Sequence, residues 1–177
     1  MRSGRRHLRG RLLHLYGRLP ARARVAIMRS VTPTFRVGAV CVVQRDDGAV
    51  LLVRHSYRRG WGLPGGLLKR GEPPATAAAR EAREELGVAL DLAPEARVVV
   101  DARHRRVDVL YRARLPAGPA DAGGTVDGGV EGAGVGGGPP PRPTSPEILE
   151  VGWFPPDDLP SLGREAVSAL AELGITG

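Results

Sequence analysis

The spacing of apolar residues changes from segment to segment along this chain, and each change marks an element. Leu8, Leu12, Leu15 and Leu19 recur at helical intervals with arginines on the other sides, which predicts a helix over 5–19. Pro20 interrupts it, and Ala21 to Val31 reads as a second short helix that Thr32-Pro33 ends. The period then disappears. Phe35 to Gln44 and Val50 to His55 are nearly unbroken apolar runs, predicting two strands joined by a turn at Asp46-Asp47-Gly48. A loop over Ser56 to Gly62 leads to the glycine-rich turn Leu63-Pro64-Gly65-Gly66. Helical spacing returns between Pro73-Pro74 and Gly87, residues suited to a helix start and to a C-terminal cap. Ala96 to Asp101 and Val107 to Leu115 predict further strands across the basic turn Arg103-His104-Arg105-Arg106, Ile148 to Phe154 another, and Leu162 to Leu173 a last helix. Residues 116–146 are rich in Gly and Pro and almost without apolar bulk, which predicts a disordered loop. The loop reads as an insertion within one domain, with the strand 148–154 returning to the same sheet.

The helix after Pro74 carries the chemistry. At 100° per residue, Glu81, Glu84 and Glu85 share one narrow stripe, while Ala75, Ala78, Ala79, Ala82 and Leu86 form a separate stripe suited to a core. Crowded carboxylates repel one another unless a cation joins them, and hard divalent cations are bound by a few carboxylate oxygens together with water and phosphate. A solvated acidic face is the plain alternative for these three residues taken alone.

Their surroundings narrow the choice. Gly66, Glu72, Arg80, Glu81, Glu84, Glu85 and Gly87 stand at every fixed position of G-x(5)-E-x(7)-R-E-U-x-E-E-x-G-U, where U is a bulky aliphatic residue. In this the chain resembles the Nudix hydrolases. Val88 fills the last U, and Ala82 is smaller than the first U prefers. Trp61-Gly62-Leu63-Pro64-Gly65-Gly66 and Trp153-Phe154-Pro155-Pro156-Asp157-Asp158-Leu159-Pro160 extend the likeness to residues 34–177, leaving 1–33 as a basic helical arm. The resemblance implies an α/β protein with a Nudix fold, an α/β/α sandwich around a mixed β-sheet. It implies hydrolysis of a phosphoanhydride bond in a nucleoside diphosphate linked to another group, with Mg²⁺ or Mn²⁺ as cofactor. It makes Glu81, Glu84 and Glu85 metal ligands joined by the backbone carbonyl of Gly65, and it makes Glu72 and Arg80 the charged pair that steadies them. The general base stays open between Glu81 and the later carboxylates Glu147 and Glu150, of which Glu147 is also a candidate ligand.

Guanidinium suits phosphate geometry, so Arg54, Arg58, Arg59, Arg105 and Arg106 are candidates for diphosphate or ribose contacts. Tyr57 and Trp61 are candidates for stacking on a base, whereas His55 and His104 read as structural or solvent-facing. Composition bounds the rest. The 177 residues suffice for one domain with a full core. No run approaches a membrane span, and no apolar segment follows the basic N-terminus as a secretory signal requires. The single cysteine allows no internal disulfide, which favours a reducing, cytoplasmic setting, and Cys41 lies in an apolar run that reads as buried. The formal charge is +7, from 26 basic and 19 acidic residues. Nine of the arginines and none of the acids lie in residues 1–33, so the remainder holds 17 basic against 19 acidic. The basicity therefore belongs to the arm, whose leucines are expected to pack on its own domain or on a second subunit of a homodimer. No stable nucleic-acid partner is expected. A non-catalytic Nudix-fold module, or an arm that binds nucleic acid or a membrane surface, are the competing readings; the first of them expects eroded glutamates, and these are intact.

Overall fold

The computed structural model describes residues 14–116 and 140–175. Two compact units divide the chain, Met1–Phe35 and Arg36–Gly177. In the first, residues 14–18 are helical and a helix α1 spans Ala21–Val31, ending as expected before Pro33. Leu8 and Leu12 lie outside the described residues.

The second unit contains β1 (Arg36–Val43), β2 (Val50–His55), β3 (Gly65–Leu67), α2 (Pro74–Leu86), β4 (Asp91–Asp101), β5 (Arg106–Arg114), β6 (Ile148–Phe154) and α3 (Arg164–Glu172). A mixed four-stranded sheet has the order β3-β1-β5-β4, with β1 parallel to β5 and both outer pairs antiparallel. β6 does not return to this sheet. It pairs antiparallel with β2 in a sheet of two strands, correcting the expectation of one sheet.

Strand alternation explains why β1 and β2 read as unbroken apolar runs. Ala39, Cys41 and Val43 of β1, with Leu51 and Val53 of β2, pack in one cluster with Ala77, Ala78 and Leu86 of α2. Val42, Val50 and Leu52 face the other way, into a cluster with Ala166, Ala169 and Leu170 of α3. Both faces are therefore covered by helices, the α/β/α sandwich expected, and a strand buried on both faces carries no polar alternation. The buried stripe of α2 is Ala77, Ala78, Ala82, Glu85 and Leu86, so Ala75 and Ala79 give way to Ala77, and one acid joins the core side. Small alanines let this helix lie close to β1: the Cys41 thiol reaches the Ala78 carbonyl at 3.5 Å. Cys41 is fully buried, as read from the sequence, and burial pushes its thiol up to about 12.

Two differences in the strands have local causes. β4 begins at Asp91 rather than Ala96, because its pairing with β5 slips between Leu92 and Ala96, around Pro94. Proline cannot donate to a ladder and is accommodated at such irregularities. Residues 140–146, expected as loop, run along the end of α2. Arg142 and Thr144 donate backbone N–H groups to the carbonyls of Leu86 and Glu85, at 3.2 and 3.1 Å. The Thr144 hydroxyl donates to the Glu84 carbonyl at 3.0 Å. The rest of the insertion, 117–139, lies outside the described residues.

Candidate active site

The signature loop and α2 are fastened together by one ionic cluster. Pro73 and Pro74 start the helix and Gly87 ends it in the left-handed conformation, φ 70°, as the sequence predicted. Arg80, one turn from Glu84, turns its guanidinium back toward the loop. Its Nε and Nη2 donate to the two oxygens of Glu72 at 2.8 and 3.0 Å, a bidentate clasp between loop and helix. The backbone N–H of Lys69 also donates to Glu72, at 2.8 Å. The Arg80 hydrogen bonds first, and that backbone donor second, hold the Glu72 carboxyl down at about 2.

The remaining nitrogen gathers the stripe. Arg80 Nη1 donates to Glu81 at 2.7 Å and to Glu84 at 2.9 Å. Glu85 points the other way and is buried. It accepts the Gly65 N–H at 3.0 Å and lies 3.4 Å from His55 Nε2. Gly65 has φ 146°, and a side chain there would run into the Ala39 carbonyl of β1. At Gly66 the space a Cβ would need is taken by the Glu81 carboxylate. The backbone of β1 thus requires glycine at 65, whereas at 66 the obstacle is the end of the Glu81 side chain. Both glycines also form β3, a strand whose three residues carry no periodic signal. Burial raises the Glu81 carboxyl above its ordinary range, although Arg80 pulls it down.

Among the described residues, no three His, Cys, Asp or Glu side chains are already gathered as a metal cage. The donors nevertheless fit a hard cation. They are carboxylate oxygens, and those of Glu81 and Glu84 already converge on one positive charge, the Arg80 nitrogen. His55 faces the third carboxylate through Nε2, and its other ring nitrogen, Nδ1, is buried without a hydrogen-bond partner.

The other predicted residues divide. Arg58 and Arg106 line a cavity that also includes Gly65 and His55, and Arg59 and Trp61 share its wall. Arg54 does not line it; it pairs across the β2–β6 ladder with Glu150, which lowers the Glu150 carboxyl and occupies that candidate base. Arg105 occupies an exposed turn with φ 50° and is also absent from the cavity wall. Glu147 is exposed just before β6; its carbonyl accepts the Ser56 N–H at 2.8 Å, and its side chain lies close enough to Tyr57 to help raise that phenol, after burial. Trp61 packs edge-on against Phe154, ring centres 4.8 Å apart, whereas Tyr57 is exposed and tilted on His55. His104 bonds Asp101 through Nδ1 at 2.7 Å and Arg164 through Nε2 at 2.9 Å, a structural role as read from the sequence. Three cavity residues escaped the sequence reading: His55 in its role beside Glu85, Asp108 and Glu165. Asp108 had a signal, as an acid inside the apolar run Val107 to Leu110, while Glu165 had none.

A helix that carries a stripe of carboxylates is thus clasped to a glycine loop at the edge of a mixed sheet in an α/β/α sandwich. The NUDIX domain family model matches residues 34–173, and the chain belongs to that family as a Nudix pyrophosphohydrolase. Nudix hydrolases generally use divalent metal ions. A MutT-like protein of Streptomyces ambofaciens is 30% identical over 127 residues, covering 72% of this chain and 68% of the relative. An ADP-ribose pyrophosphatase of Mycobacterium tuberculosis is 48% identical over 68 residues, but this match covers only 35% of the chain and 32% of that enzyme. Among solved structures, a MutT Nudix hydrolase from Burkholderia pseudomallei superposes with a TM-score of 0.57 at 29% identity, covering 80% of this chain and 99% of that one. No helix among the described residues is long and apolar enough to cross a membrane.

Proposed function

We propose that this protein hydrolyses a phosphoanhydride bond in a nucleoside diphosphate joined to another group, such as a sugar-linked, ADP-ribose-like or modified nucleotide, in the cytoplasm and with Mg²⁺ or Mn²⁺. The observation that carries this reading is the convergence of Glu81 and Glu84 on one cationic position, on a helix whose Glu85 holds the Gly65 N–H of the glycine loop. Glu81, Glu84 and Glu85, with the Gly65 carbonyl, would hold the ion, which when bound neutralises diphosphate charge and activates water.

The protein's own residues then have distinct tasks. Arg80 and Glu72 fix the helix against the loop, so that the carboxylates keep one orientation. The Gly65 N–H and His55 orient Glu85 from the opposite side. Glu81, whose carboxylate closes against Gly66 of the loop, is the residue we assign as proton acceptor for the attacking water. Glu150 is left out of that role by its pairing with Arg54. Product analysis with Mg²⁺ and Mn²⁺ over ADP-ribose, nucleotide sugars, dinucleoside polyphosphates and oxidised dNTPs tests the proposal. The expected result is a nucleoside monophosphate product from at least one class, abolished by chelator. Intact substrates across the whole panel, with metal present and the protein folded, would reject it.

A further inference from the structure

A second polar cluster lies outside the carboxylate stripe. Arg106 Nε donates to both oxygens of Asp108 at 2.8 and 2.7 Å, and its Nη1 donates to Glu165 at 3.2 Å. Arg58 Nη1 donates to the other Glu165 oxygen at 2.6 Å. These four side chains line one cavity, which opens to solvent at its mouth. Gly65 and His55, the two neighbours of Glu85, belong to the same wall, so a ligand whose diphosphate lies at α2 can extend inward.

Charge decides what the inner end can hold. Arg58 and Arg106 are already paired there with Glu165 and Asp108, while Arg59, Arg164 and Asp101 share the wall, so an anion drawn to Arg58 or Arg106 would have to displace Glu165. A neutral group enters without that cost. The apolar walls, Val40 and Leu110 of the sheet opposite Ala166 and Ala169 of α3 with Trp61 beside them, suit a flat ring. The polar edge offers acceptors. Asp108 is only 8% exposed, and a carboxylate has about four lone-pair positions, of which Arg106 uses two.

We propose that this cavity receives the nucleobase, and that Asp108, supported by Arg106, is a specificity-determining residue selecting bases that carry an exocyclic amino group. Adenine, guanine and cytosine present such N–H donors to the carboxylate. Uracil presents one N–H between two carbonyl oxygens, which would meet carboxylate oxygens at close range and leave buried acceptors unpaired. The proposal rests on the phosphoanhydride reading for the position of the diphosphate.

The experiment uses four substrates that differ only in the base: ADP-, GDP-, CDP- and UDP-glucose, assayed for kcat/KM with Mg²⁺. The uridine compound should be poorer than the other three by roughly tenfold or more, since a site built for a hydrogen bond rejects analogues that cannot make it. Asp108→Asn, which replaces one acceptor by a donor, should close that gap to within about threefold, mainly by lowering turnover of the amino-bearing substrates. Should this variant fail to fold, the wild-type series still decides: equal kcat/KM on all four overturns the proposal. Calorimetric binding of AMP, GMP, CMP and UMP reads the same selection without turnover. A protein that prefers the amino-bearing monophosphates yet hydrolyses nothing would sink the hydrolase reading and support the cavity assignment; one that hydrolyses all four alike would do the reverse.

Discussion

At the scale of single residues, Glu85 is the most informative. Its carboxylate is buried, accepts the Gly65 N–H and faces His55, so Glu85→Gln preserves shape and can keep the backbone hydrogen bond through its amide oxygen. What the variant loses is the charge a hard cation needs. A fall in kcat on the order of 10²-fold or more, about 2.7 kcal/mol of transition-state stabilisation, is expected with little change in melting temperature. Near wild-type turnover by Glu85→Gln on a confirmed substrate would show that Glu85 holds no metal. Glu72 makes a different, pH-dependent prediction. Its carboxyl is held at about 2 in the fold by Arg80, against an ordinary value of 4.5. The depressed value means that the ionised form stabilises the fold fully above pH 4.5, and that this contribution drains away as pH falls from 4.5 toward 2. Glu81 is shifted upward and acts in the opposite sense, so the comparison must be made by difference. Denaturation curves of wild type and Glu72→Gln, measured across that window, should converge toward its acid end. A constant separation would mean that Glu72 is not the titrating group.

Elements differ in how plainly the sequence announces them. β1, β2, α2 and β6 were legible almost to their ends, because apolar runs and helical spacing record burial directly. β3 was not, since it exists only through pairing with β1: Gly38 opposite Leu67, Ala39 opposite Gly66, Val40 opposite Gly65. Pro94 hid nearly the first half of β4 for a related reason, as the strand passes through an irregularity that a local reading takes for its boundary. The clasp of Glu72 and Arg80 was readable from the motif, whereas the joining of Arg58 to Arg106 through Glu165 was not. That contact spans 107 residues and depends on α3 packing across the sheet. The strap of residues 140–147 belongs with these hidden features. A helix leaves its last four carbonyls without helical partners, and here residues 142 and 144 satisfy three of them on the helix that carries the glutamates. Thr144→Val keeps the branched shape and removes only the hydroxyl bond to the Glu84 carbonyl. A loss of roughly 0.5–1.5 kcal/mol by urea denaturation is expected for one such bond. An unchanged midpoint would show that water replaces the hydroxyl at no cost.

For the whole molecule, the question is which stretches the catalytic unit needs. Its formal charge is near balance while the first 33 residues hold nine arginines, so the high isoelectric point says little about the domain that carries the site. The Gly- and Pro-rich insertion can be divided by function. Residues 118–139 contain almost no bulky apolar side chain, and the closure entropy of a loop changes only slowly with its length. Residues 140–146 instead seal the end of α2 and lead directly into β6. One deletion and one replacement separate these roles. Removing 118–139, with a short Gly-Ser bridge, should leave a single cooperative melting transition and turnover close to wild type. Replacing 140–146 by Gly at unchanged chain length should lower the melting temperature and also reduce activity, because the Glu84 carbonyl loses the Thr144 hydroxyl and a glycine strap costs more entropy to hold its backbone N–H groups on the turn that bears the carboxylates. If the first deletion alone abolishes turnover while the fold survives, the inserted segment takes part in the site. If the second is silent in both measurements, the strap contributes nothing to holding that helix in place.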